Sequence, residues 1–97
     1  MAKRVLVECR DLFFRGKLQA LLGAQGAELV RDDPLDLAIL ELGTPGVGDR
    51  IRDLVRRGIP VLAFGSHVDA EALRTARNAG ARAVPNSEVE TVLRALL

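Results

Sequence analysis

The chain reads as an α/β protein built around a parallel sheet. Three observations predict this. Short, β-branched apolar runs ("RVLVEC", "LDLAILEL", "IPVLAF") recur along the 97 residues, each with the length and composition of a buried strand. Between them lie stretches whose apolar residues return every three or four positions, the helical period. Glycine stands where those stretches end, as it does where helices stop. Strands alternating with helices imply crossover connections and hence parallel pairing.

The elements follow in order. "RVLVEC", 4–9, is the first strand. Asp11 is placed to cap the next helix, in which Phe14, Leu18, Leu21 and Leu22 share one face. The glycines of "GAQGAELV" stop that helix, and a short second strand begins at Ala27. "RDDP" breaks it. "LDLAILEL", 35–42, is the third strand. A glycine-rich loop leads into a short helix with Ile51, Leu54 and Val55 inward, closed at Gly58. A fourth strand starts at Ile59. "DAEALRTARNAG" is a helix with Asp69 as N-cap and Gly80 as stop, and "ARAV" is a fifth strand. Ser87 is placed to cap a last helix striped by Val89, Val92, Leu93 and Leu96.

One interval breaks the rhythm. Only six residues separate Val30 from Leu37, too few for a crossover helix. The expected consequence is thin cover over "RVLV" and "LAIL", which the short helix carrying Ile51 and Leu54 could shield in part. A patch left exposed there favours a homodimer or a docked protein partner.

Composition narrows the function. A chain of 97 residues, 48% of them hydrophobic, makes one domain with a modest core. Its three aromatics are all Phe, which argues against base-stacking nucleic-acid modules. A net charge of +1 gives no general pull toward nucleic acid or anionic lipid. The lone Cys9 excludes an intrachain disulfide and a cysteine-based zinc site. The opening "MAKRVLVECRD" meets charge too early for a signal peptide, and no run is long enough for a membrane span, so a cytoplasmic location is expected.

"GTPGVGDR", 43–50, has the frame G-x-x-x-x-G-K-[ST] of a phosphate-binding loop. That loop needs Lys for the outer phosphates and a hydroxyl for Mg²⁺. Asp49 would repel phosphate and Arg50 offers no hydroxyl, so the segment reads as a strand-to-helix turn.

In another frame, "DLAILELGTPGVG" resembles the third strand and following loop of response-regulator receiver domains, which commonly run D-L-x-M-P-G after an apolar strand. "KRVLVECRDLFFRGKLQALLGAQGAELV" is similar to the receiver opening, and "IPVLAFGSHVDAEALRTARNAGARAV" to its fourth strand, fourth helix and fifth strand. The resemblance covers nearly the whole chain. It implies a flavodoxin-like (CheY-like) sandwich with strand order 2-1-3-4-5 and, here, no helix between the second and third strands.

The resemblance carries the scaffold and not the chemistry. The receiver phosphoacceptor Asp falls at Glu41, and the Mg²⁺-binding acidic pair at Cys9 and Arg10, with Glu8 one residue away. The receiver Ser/Thr falls at Gly65 beside Ser66, and the receiver Lys has no counterpart near Pro85, Asn86 and Ser87. Phosphoryl transfer to a carboxylate needs a metal, and a hard cation needs several oxygen ligands. Neither metal nor cofactor is expected. Two arrangements stay open for Arg10: its guanidinium stands where the metal would be and pairs with Glu41, or both side chains reach water separately.

His67 lies at the carboxyl edge of the sheet, where open α/β sheets bind ligands. With Glu41, Ser66 and Arg10 it could line a small ligand or anion site, although a lone loop His is more often a solvated residue. A Ser-His-Glu hydrolase does not fit, since Ser66 and His67 are adjacent and no G-x-S-x-G elbow is present. Asp32, Asp33 and Asp36 read as a solvated turn. Arg50, Arg52, Arg56 and Arg57 read as a solvated helix face, with Asp49–Arg52 and Asp53–Arg57 at pairing distance. Cys9 reads as a buried, inert thiol. The sequence thus points to a non-phosphorylatable pseudo-receiver serving as a protein-interaction module in signalling or regulation, without enzymatic activity. A small-ligand or anion-binding module at the carboxyl edge is the alternative.

Overall fold

The computed structural model describes residues 2–97. Five parallel strands, β1 (Arg4–Glu8), β2 (Glu28–Leu29), β3 (Leu37–Glu41), β4 (Val61–Gly65) and β5 (Arg82–Pro85), form one sheet in the order β2-β1-β3-β4-β5. The helices are α1 (Leu12–Ala24), α2 (Val47–Arg56), α3 (Ala70–Asn78) and α4 (Val89–Leu96). This is the flavodoxin-like order expected from the sequence.

The strands alternate their side chains between two helical layers. Val5, Val7, Leu37, Ile39, Leu62, Phe64 and Val84 point toward α1 and α4, where Leu18, Leu22, Val89 and Leu93 meet them. Phe14 of α1 stacks on Phe64 with ring centroids 4.8 Å apart. Leu6, Ala38, Leu40, Val61, Ala63 and Ala83 face α2 and α3, packing on Ile51, Leu54, Leu73 and Ala76. Each layer therefore buries one face of a sheet that, being parallel, is apolar on both.

Helix ends follow local chemistry. Asp11 and Asp69 cap α1 and α3 by accepting from the Phe14 and Ala72 N–H groups, each at 3.1 Å. The stops at Gly26, Gly58 and Gly80 share one motif, in which the glycine has positive φ and the next residue's N–H reaches back five positions. For α2, Ile59 N–H bonds the Leu54 carbonyl at 3.0 Å and Gly58 N–H that of Val55 at 2.9 Å.

The last helix starts differently from the expectation. Ser87 does not cap it; Ser87 lies inside a 3₁₀ turn over Asn86–Glu88, and no side chain caps α4. The Val89 N–H bonds the Asn86 carbonyl, so the turn itself supplies the partner.

Residues 30–36 contain no helix, as the short interval requires. The crossover is tied down by polar contacts. Arg4 donates from Nε to the Pro34 carbonyl at 2.8 Å and from Nη2 to that of Asp32 at 3.2 Å. Its N–H bonds the Asp36 carboxylate at 2.8 Å, and Asp33 pairs with Arg57 at the C-terminal end of α2, one residue past the helix. The three aspartates are exposed, as expected, but two of them also hold the turn.

The expected thin cover is not found. Val5, Leu6, Val7, Leu37, Ala38, Ile39 and Leu40 are all buried, at most 9% exposed. Half-buried Leu35 of the crossover joins Ile51 and Leu54 over this part of the sheet, which makes up for the absent helix. A second copy covering bare strands is therefore not required. Among the described residues no helix is long and apolar enough to cross a membrane.

Candidate functional site

The carboxyl edge gathers the side chains that follow β1, β3 and β4. Parallel register sets Glu8 beside Leu40 and Glu41 beside Phe64, so the two glutamates end adjacent strands. Glu41 Oε1 accepts the Arg10 backbone N–H at 2.9 Å, and the Glu41 carbonyl accepts from Thr44 Oγ1 at 2.9 Å. The chain then turns at Gly46, whose φ of 77° suits glycine, and α2 begins.

Four residues into α2, Arg50 turns back toward the strand ends. Its Nε lies 3.3 Å from Glu8 Oε1 and its Nη2 3.2 Å from Glu8 Oε2, a forked contact. A cavity of about 180 Å³ lies here, bounded by Glu8, Glu41, Thr44, Pro45, Val47 and Arg50.

This bears on the two arrangements left open for Arg10. The Arg10 guanidinium does not pair with Glu41; Arg10 is exposed and contributes its backbone N–H. The cation at the strand ends is Arg50, which the sequence placed on a solvated helix face. Arg52 of α2, on Asp49, and Arg57 just after the helix, at 3.6 Å from Asp53, match that expectation.

Cys9 is buried, and its thiol donates to the Asp11 carbonyl at 3.4 Å. Burial pushes its pKa up, and the charge of Glu41 adds to the shift, so the thiol stays protonated near neutrality. At Gly65, an added Cβ would lie 3.3 Å from the Leu42 side chain, so a hydroxyl-bearing residue would crowd that position.

Ser66 and His67 are exposed, and the only side-chain bond of this loop before Asp69 joins Val68 N–H to Ser66 Oγ at 3.4 Å among the described residues. Neither lines the cavity beside Glu41, and Arg10 does not either. Of the ligand site suggested by Glu41, Ser66, His67 and Arg10, this cavity thus includes Glu41 alone. Among the described residues no three His, Cys, Asp or Glu side chains converge as a metal site would require.

No family model matches the chain, and no curated protein does. Solved structures do. A response regulator receiver domain protein (CheY-like) from Methanospirillum hungatei JF-1 superposes with a TM-score of 0.75, covering 97% of this chain and 92% of that one at 16% identity. A fusion carrying the yeast Spc42 trimeric coiled coil superposes with a TM-score of 0.79, covering 98% of this chain and 75% of that one at 14% identity. The fold is that of CheY-like receiver domains. At this identity the likeness is one of backbone architecture, and function rests on the side chains.

Proposed function

We propose that the chain is a receiver-like protein-interaction module of a signalling or regulatory assembly, working without phosphotransfer. The observation that carries this reading is the forked contact of Arg50 on Glu8. In-line transfer to a carboxylate requires a divalent cation to neutralise the incoming oxygens. Here the position next to Glu41 has a guanidinium on the carboxylate of the adjacent strand end, a buried thiol at Cys9 and a backbone N–H at Arg10. Arg50 supplies a positive charge from within the chain, on the carboxylate that ends the strand next to Glu41.

The exchange has a functional consequence. A metal-dependent receiver responds to a phosphodonor; a chain carrying its own cation has its edge set by sequence. The module then presents one surface constitutively. A partner that co-purifies with the wild-type chain should be retained by Glu41→Ala and be indifferent to phosphodonor. Loss of that partner on either change would contradict the reading.

A further inference from the structure

A larger cavity than the one beside Glu41, about 340 Å³, lies between α2 and α3. The turn after α3 approaches the last turn of α2, where an added Cβ on Gly80 would come 2.8 Å from Val55 Cγ1. Toward the carboxyl edge the space between them is a groove. Buried Ile51 and Ala76 form its floor, and half-buried Leu42, Val47 and Ala72 form its walls.

Its rim is electrically asymmetric. On the α2 side Arg52 is already paired with Asp49. On the α3 side Asp69 uses one carboxylate oxygen to cap Ala72, and Glu71 makes no ion pair among the described residues. The groove thus combines an apolar floor with uncompensated negative charge on one rim. At the low end of the roughly 300–1,000 Å³ range of small-molecule sites, and open to solvent between two helices, it suits a side-chain row of a partner better than an enclosed ligand.

We propose that this groove docks an amphipathic, basic segment of a protein partner, with aliphatic side chains on Ile51 and Ala76 and a Lys or Arg beside Glu71. The assignment rests on the interaction-module reading and specifies its surface. Complementary charge would steer the approach and fix the orientation, while the apolar floor supplies the contact. The groove also shares Val47 with the Glu8–Arg50 cavity, so docking touches the helix turn that carries Arg50.

The test uses the full chain, isotope-labelled, and two synthetic amphipathic helical peptides, one of Leu and Lys and one of Leu and Glu. The Leu/Lys peptide is expected to shift the amides of Val47–Arg52 and Glu71–Ala76, and the Leu/Glu peptide to leave them in place. Glu71→Lys, at an exposed position and with its fold checked by the amide spectrum, should weaken the Leu/Lys peptide by about fivefold or more, as loss and reversal of a rim charge predict. Ala72→Phe, which fills the groove, should abolish the shifts. Equal binding of both peptides, shifts confined to exposed Leu12 and Phe13 of α1, or no shift with either peptide would overturn the proposal. Those last two outcomes leave the interaction-module reading to stand or fall by its own partner-capture test.

Discussion

Arg50 and Glu8 meet across 42 positions of sequence, the guanidinium of α2 forked on the carboxylate that ends β1. The contact joins the first turns of a helix to the edge of the sheet. Its strength is bounded by exposure, since the side chains are 37% and 39% exposed and water screens the pair. A double-mutant cycle of Arg50→Ala and Glu8→Ala on urea unfolding should give a coupling of about 0.5–1 kcal/mol that shrinks with salt. Additive effects would mean that the fork does not persist in solution.

Gly80 and Gly16 should respond oppositely to alanine. Gly80 has a φ of 102° and no room toward Val55, so Gly80→Ala should destabilise by more than about 1 kcal/mol. Gly16 lies inside α1 with nothing within 4 Å of an added Cβ. Gly16→Ala should stabilise by about 0.5–1 kcal/mol. Urea midpoints for the two variants on either side of wild type check both at once.

The crossover that replaces a helix depends on Arg4. Without its side chain the carbonyls of Asp32 and Pro34 lose their donors, while the strand ladder remains. In Arg4→Ala the amides of 31–36 should exchange faster by native-state hydrogen exchange, and those of β3 should keep wild-type protection. Unchanged exchange across 31–36 would show that the backbone alone holds the turn.

Cys9 makes stability depend on alkaline pH. Its folded-state pKa is raised by burial and by Glu41, so the folded chain holds the thiol proton more tightly than the unfolded chain. This contribution is fully present below the ordinary thiol value of about 8.5 and is lost as pH rises through the folded value. Urea midpoints should fall from neutral to alkaline pH more steeply for wild type than for Cys9→Ala. Parallel pH profiles would contradict the assignment.

Much of the fold is legible along the chain because its determinants are local. Continuous apolar runs set the strands, Asp11 and Asp69 the helix starts, and Gly26, Gly58 and Gly80 the stops. The absent helix follows from counting the residues between Val30 and Leu37. Arg50 was not legible as a site residue, because helical spacing shows only that it shares α2 with Arg52 and Arg56. Its partner comes from β1, and only the sheet register brings Glu8 to that turn. Ser87 misled because a hydroxyl before an apolar stripe signals a cap, while the chain leaving β5 enters a 3₁₀ turn first. The thin-cover expectation does not hold because Leu35, which the sequence assigns to the third strand, lies ahead of β3 in the crossover and packs there on the core.

The central claim is that the carboxyl edge carries its own cation and accepts no phosphoryl group. Incubation with a small-molecule phosphodonor and Mg²⁺, followed by intact mass, tests it most directly. The expected result is an unchanged mass for wild type and for Glu41→Ala alike. A stoichiometric gain of one phosphoryl group by wild type, absent in Glu41→Ala, would contradict it.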